Sequence, residues 1–593
     1  MLEKICTGLV RGLLGGTLFF LTVLSAFVTC RVYGGAEIVE YGKDSPLLHL
    51  LFCVFVIGLV LLCRGKKEAL EGAQESSTQS QKGESVRGKK SGDEREEKRK
   101  QGIGEGWKST CWENRWILLL TAVGYFLWIL LIPSWGGSDS HQCMISAQGL
   151  LQGDFSAWEP VAYSYGAVEE PLGYAYTYPS QNGLILYMAA LSFFFGEAAF
   201  AVFQIFNIAF FFLGIVSLQQ MMIRGNRKHG VLLWMACCLP FSFYILFVYG
   251  TMPGFGLSCL AMERLVRYVE ERRGMDFWMG AVAAAAAVIL KSNYEIVLVA
   301  LFLYLASSGA FRKKIRLLVA AVLLVAVYVL GNWGIQTGMS FITGYPPSDG
   351  APMIAWVQMG LEESKRGPGW YNGYQVKLFQ KADGDADLAS AWAQADLRKT
   401  LSDMAEEPAK TADFFVRKIE SIWAEPTFQS LWIQEVGNTS WAEESPPWQL
   451  FKEEGILNRL YVFAANWMQT FVYAMACIWA MIGMRDRDGL TKKSQTKRVQ
   501  EKRAEIEKVT KTVEMEKKQR MEMHQEPLEH GKQDKWGMLL PGIVFIGGFL
   551  FHLVWEAKGQ YSVVYFMLLL PYAYLGTERV VDVLLSATDA KKL

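Results

Sequence analysis

An acid held at the water edge of a bilayer can take a proton from an acceptor hydroxyl or amine, and Asp139 is placed to do so. It follows the apolar run 116–133 and lies within WGGSDSHQCMISAQGLLQGDFSAW. A general base must come within hydrogen-bond reach of the proton it removes, which an acid at the membrane edge can do for an acceptor there. Met144, Ile145, Leu150 and Leu151 fall near helical spacing, which describes a short amphipathic helix lying on the bilayer surface. The helix dipole also stabilises an acid at such a start, so Asp139 could serve only as a cap, and the residues weigh the two roles evenly. Asp139 and His141 could share a divalent metal, but a single D-x-H is a weak signal, and a hydrogen-bonding or surface histidine is the reading it favours. Among the cations, Lys291 in ILKSNYE interrupts a continuous apolar pattern. It either holds an anion near the surface or snorkels from a helix end. Lys558 is a second candidate, with an ordinary exposed turn as its alternative, and Arg366 is a third.

The elements that must position these groups are membrane helices. Of 593 residues, 51% are hydrophobic, while the charged 20% gathers in a few polar segments. That division describes a polytopic, all-α integral membrane protein. Each crossing needs roughly 20 mainly apolar residues, because backbone amides in hydrocarbon must be satisfied within a helix. Candidate crossings are 8–28, 47–63, 116–133, 198–222, 231–249, 253–270, 277–290, 295–310, 317–336, 457–484, 537–554 and 562–578, about twelve in all.

Short basic loops stay cytoplasmic. The basic stretches 64–108, 224–228, 272–273, 312–316 and 485–535 share one side only if the apolar run 183–195 lies in the interface instead of crossing. Both termini are then cytoplasmic, and 134–197, 337–456 and 555–561 face outward. The division that follows is an N-terminal transmembrane hairpin 1–63, a charged cytoplasmic linker 64–115, a membrane core 116–336, an extracytoplasmic lobe 337–456, a helix 457–484, a charged cytoplasmic loop 485–535 and a C-terminal hairpin and tail 536–593. The first crossing is expected to be retained, since no small-residue cleavage site follows it. Both linkers lack the apolar residues to bury a core and are expected to be disordered or loosely helical. Neither carries a phosphate-binding glycine loop, which removes support for an ATP-driven pump. Ten scattered cysteines show no paired CxxC spacing, and only Cys30 and Cys143 are expected outside.

The order of parts resembles a known family. A crossing, a short spacer, SD, an in-plane helix ending in Gly153 and Asp154, a Tyr-rich run, the pair Tyr178 and Pro179, and a second in-plane helix closing on Phe195 and Gly196 resemble the GT-C glycosyltransferases. The similarity is to the branch of the protein O-mannosyltransferases and the lipid A aminoarabinose transferase, over about 116–335. ILKSNYE and WEAKGQYSVVYFMLLLPYAYLG are similar to further family motifs. The sequence departs from the family at Thr251, where an acid is frequent, and at Gln560, where an arginine is common. The resemblance implies a GT-C-like bundle that moves a sugar, with inversion, from a polyprenyl-phosphate donor to an unidentified extracytoplasmic acceptor. It makes Asp139 the catalytic base. Lys291 and Lys558 would bind the donor phosphate, and Tyr178, Gln181, Glu556 and Tyr561 would shape the substrate pocket. No cofactor is required, a divalent metal at Asp139 and His141 is optional, and the partners are the donor, the bilayer and the acceptor, with no nucleic acid.

The outer segment 337–456 reads as an inserted lobe, with an amphipathic helical stretch near 385–405. Trp356, Trp370, Tyr371, Tyr374, Trp423 and Trp432 could stack on sugar faces, and an aromatic belt at headgroup level is the alternative for most of them. Asp349, Glu362 and Glu425 are further candidate acceptor or metal contacts. Two other classes remain in view. A non-catalytic envelope assembly or scaffold protein differs from the enzyme only at Asp139. A secondary transporter should show two related halves, and no internal repeat is seen.

Overall fold

The computed structural model describes residues 2–33, 37–79, 111–132, 134, 137–160, 163–165, 168–170, 172–222, 232, 234–436, 445–452, 455–482 and 535–590. Most of both charged linkers, with their expected disorder, lies outside the described residues. What is described is an all-α membrane protein, with two short antiparallel hairpins, 28–43 and 163–170, as its only strand pairings among the described residues.

Among the described residues, six helical segments are long and apolar enough to cross a membrane: Leu2–Phe27, Pro46–Arg64, Pro179–Met222, Ser292–Arg312, Ile315–Thr343 and Gly537–Val554. A seventh results if Pro240–Leu246 and Thr251–Glu271, bent by 112° at the break between them, form one span. The expected count of about twelve is not confirmed. Arg115–Leu131 and Gly274–Leu290 are apolar but 17 residues each. At 1.5 Å per residue such a helix extends roughly 26 Å, a little less than the hydrocarbon thickness. Ile456–Ile482 buries Asn466, Gln469 and Thr470, and the packed interior supplies partners for them that lipid would not.

Pro179–Met222 is 44 residues long, about twice what one crossing needs. Its helices Asn182–Phe195 and Ala199–Met222 are separated by the short 3-10 turn Gly196–Ala198, at whose start Gly196 takes φ 55° and ψ −127°, outside the α-helical region. Glycine tolerates that conformation, so the sequence ends the first helix there.

The first loop, the lobe and the turn before the last helix are joined by backbone hydrogen bonds. Ala351 N–H donates to Thr177 O at 3.1 Å, joining the lobe to the first loop. Ala557 N–H donates to Gly369 O at 2.8 Å, joining the lobe to the turn before the last helix. The hairpin 28–43, not expected to take part, joins them through Cys30 N–H to Ala424 O at 2.8 Å and Val39 N–H to Arg366 O at 2.9 Å. The amphipathic stretch near 385–405 is the helix Ala386–Glu406.

Aromatic side chains fill the junction between lobe and bundle. Trp370 and Trp423 are fully buried, with Trp370 Nε1 donating to Ser421 Oγ at 2.8 Å and Trp423 packed on Phe545 and Tyr565. These two are core residues and have no face to offer a sugar. Cys30 and Cys143, expected outside, are buried free thiols. Each lies on the inward face of its element, which exposure estimated from topology does not resolve.

Candidate functional site

Asp139 opens the helix Asp139–Gln152, with Ser138 in the N-cap position. Ser138 takes φ 54° and ψ −132°, a region L-residues seldom adopt, and this reversal sets the acid at the helix start. The inward face of the helix carries Ser140, Cys143, Met144 and Ala147, and the acid itself remains exposed. Ser140 Oγ donates to Val248 O at 2.5 Å, fixing the start of this helix to the turn that precedes Thr251. His141 is also exposed and does not face Asp139, because helix positions two apart point away from each other. Among the described residues no group of three His, Cys, Asp or Glu side chains gathers to hold a metal.

Lys291 lies between the helices Gly274–Leu290 and Glu295–Arg312, and it does not snorkel: it is 7% exposed. Its Nζ donates to Thr251 Oγ1 at 2.7 Å and stands 4.7 Å from the ring centre of Tyr249 and 5.9 Å from that of Tyr561. Among the described residues no carboxylate lies within ion-pair distance of it. Burial pulls Lys291 down from 10.5 to about 7, against an upward pull from Asp139 and with a downward push from Lys558. Thr251 is thus the hydroxyl that holds the lysine. Gly250 makes the contact geometrically feasible, since a Cβ there would lie 2.1 Å from Leu290 O. The bent pair also opens the first turn of Thr251–Glu271 beside Lys291, and its N–H groups add positive field.

Lys558 is not an ordinary exposed turn lysine either. Its Nζ stands 3.8 Å from Glu556 and 3.9 Å from Glu37, with side-chain exposure of 12%. Burial opposes its charge most strongly, yet Glu37, Glu556 and Asp139 together outweigh burial and hold the ammonium above the ordinary lysine value. Glu37 is buried and paired with Arg366, and Gln429 Nε2 donates to it at 2.8 Å. Arg366 and Lys558 lie 5.2 and 5.5 Å from the ring centre of Tyr371. Burial also raises Glu556, whose Oε2 accepts from Tyr561 at 3.1 Å.

Of the pocket candidates, Glu556 and Tyr561 thus join this cluster directly. Gln181 reaches it through Tyr249, to whose hydroxyl its Nε2 donates at 2.7 Å. Tyr178 stands farther out, against Tyr174 and Trp356. The other acids do not join. Asp349 is exposed, Glu362 accepts from Gln358 and Asn372, and Glu425 braces the loop 425–429 by accepting from Thr427 and Gln429 N–H. Two pockets, one beside Trp158, Asn182 and Gln336 and one beside Arg31, Glu425 and Trp432, are lined by none of Asp139, Lys291 and Lys558.

Sequence reasoning missed two supports. Glu37 carries no local signal, being one acid in a short polar loop. Lys418 does carry one, because it sits four residues from both Phe414 and Ile422 on the apolar face of Pro408–Trp423. Its buried ammonium donates to Gly360 O, to Leu553 O at 3.0 Å and to Trp555 O at 2.8 Å. Three carbonyls satisfy an ammonium's three donors, so Lys418 pins the lobe to the turn that carries Glu556 and Lys558.

The cluster can therefore present one exposed carboxylate, one buried cation with only a hydroxyl partner, and a second cation shared by two carboxylates. No protein-family model, curated protein or solved structure matches this chain.

Proposed function

We propose that the chain is a GT-C-like membrane glycosyltransferase that moves a sugar from a polyprenyl-phosphate donor to an extracytoplasmic acceptor, with both termini cytoplasmic. The observation that carries the reading is Lys291: a buried cation held by one hydroxyl and two tyrosine rings, within electrostatic range of the exposed Asp139. A buried charge without a counter-ion is costly, and a ligand anion removes that cost on binding. The break at Gly196 supports an in-plane placement of Asn182–Phe195 at the level of this cluster.

In this reading Asp139 takes the proton of the acceptor hydroxyl or amine while its heteroatom attacks the anomeric carbon from the face opposite the phosphate. The bond from that carbon to the phosphate oxygen breaks, and its electron pair leaves with the oxygen. Lys291 meets the growing phosphate charge, and Lys558 contributes less because Glu37 and Glu556 already share it. Tyr561, Glu556 and Gln181 order the surrounding pocket, and the step calls on no metal. Transfer from a radiolabelled polyprenyl-phosphate sugar to an envelope-extract acceptor tests this, with wild type compared against Asp139→Asn of equal thermal stability. Transfer by the wild type alone is expected; equal transfer by both removes Asp139 as the base.

A second reading, a non-catalytic envelope scaffold, is favoured by one feature. The pairs among Glu37, Arg366, Gln429 and Lys558 tie the hairpin, lobe and final turn together without need of a ligand. Absence of transfer across several donor sugars would favour it.

A further inference from the structure

We infer that Tyr178, Trp356 and Trp555 form a carbohydrate-binding subsite, so that the acceptor is itself a glycan; the inference rests on the transferase reading for its role as acceptor site. These rings come from three distant parts of the chain and meet in one ladder beside Glu556 and Lys558. Trp356 and Trp555 are parallel to within 2°, with ring centres 6.1 Å apart. Phe551 continues the ladder on one side, 4.8 Å from Trp555, and Tyr178 stands edge-on to Trp356 at 6.2 Å on the other. All three proposed residues are half-buried, in contrast to Trp370 and Trp423, which are sealed into the core.

Two properties distinguish the ladder from an interfacial belt. Belt tryptophans are distributed around the rim of a membrane protein. Here they are stacked together next to the charged cluster, because the helix Met353–Gly360 runs against the backbone of Val554 and Trp555. In addition, neither the Trp356 nor the Trp555 indole N–H has an acceptor among the described residues, and neither is sealed from solvent. Apolar ring surface beside open N–H donors suits a pyranose, which offers C–H groups on a face and hydroxyls at its rim. A lipid acyl chain would use the rings and leave the donors unpaired.

The test uses the full chain in lipid nanodiscs without donor, and saturation-transfer NMR with maltotetraose, chitotetraose and mannotetraose. Saturation of pyranose ring protons by the wild type is expected for at least one probe. It should be clearly reduced in Trp356→Ala and Trp555→Ala, and less reduced in Trp356→Phe, which keeps an aromatic ring and removes the N–H. Melting midpoints of the variants establish that they are folded. In the transfer assay each Ala variant should raise the acceptor KM roughly 2- to 10-fold, the worth of one aromatic contact, and leave the donor KM unchanged. No saturation with any probe, or equal saturation in wild type and both Ala variants, overturns the inference. Unchanged acceptor KM in active variants also overturns it while leaving the transferase reading in place. Glycan binding by a protein that transfers no sugar does the reverse: the carbohydrate site stands and the transferase reading falls.

Discussion

Replacing Lys291 by methionine separates a ligand-binding lysine from a structural one, because the two predict opposite changes in stability. Lys291 is 7% exposed, and its ammonium has one hydrogen bond, to Thr251 at 2.7 Å. Methionine has similar length and volume and needs no solvation. The substitution loses one hydrogen bond, worth about 1 kcal/mol. It also removes a buried charge without a counter-ion, and relief of that desolvation is of the same size or larger. The melting midpoint should therefore stay level or rise. Anion binding should move the other way. A charge pair at about 4 Å with an effective dielectric near 20 is worth roughly 4 kcal/mol. Even half of that lowers donor affinity about 30-fold, so a loss of 30-fold or more is expected. The assay is thermal unfolding in detergent together with a titration of polyprenyl-phosphate sugar. A marked fall in the melting midpoint with donor affinity intact would refute the reasoning, since Lys291 would then be serving Thr251 and the two tyrosines. The pH dependence supplies a second check with a worked sign. Lys291 is depressed from 10.5 to about 7, so between those values the unfolded chain binds the extra proton and this group makes the fold more stable as pH rises. Donor binding, which needs the ammonium, should weaken over the same rise.

Four further variants test the same geometry. Asp139→Asn should cut transfer by roughly 10²- to 10⁴-fold with little change in melting, since the acid is exposed. Because Asp139 pulls Lys291 upward, the same variant should shift the alkaline loss of donor binding to lower pH, which a donor titration across about pH 6–9 would detect. Lys418→Met should destabilise by about 2–4 kcal/mol, in contrast to Lys291→Met, because three buried carbonyls lose their donor; an unchanged denaturation midpoint would contradict the pin. Gly250→Ala should lower both melting midpoint and donor affinity, since its Cβ meets Leu290 O at 2.1 Å and displaces the Thr251 turn from Lys291. Glu37→Gln keeps an acceptor for Arg366 but removes the charge it shares with Lys558, and a loss of about 1–3 kcal/mol is expected in denaturation, as Arg366 is partly exposed.

The sequence alone determined the class of this protein and the end of the bundle at which to look. Apolar runs need helices in lipid, and an acid or a lysine that interrupts such a run stands out against a uniform background. That contrast is why Asp139, Lys291 and Lys558 stand out one by one, whereas Glu556, Tyr561 and Gln181 are candidates only through the resemblance, and it is amphipathic spacing that makes the lobe helix Ala386–Glu406 readable. Only the tertiary structure decided which of them share a site. Lys291 and Thr251 are 40 residues apart, and Glu37 and Lys558 lie at opposite ends of the chain, so no local pattern links them. It also decided which aromatics are core and which are open, because Trp370 and Trp423 look no different in sequence from Trp356 and Trp555 until a lobe packs over one pair and leaves the other at its edge. The number of crossings stayed unreadable for a related reason. Helices shielded by others can be short or carry buried polar groups, as Ile456–Ile482 does, and hydropathy records what a helix would meet in lipid, not what its neighbours provide.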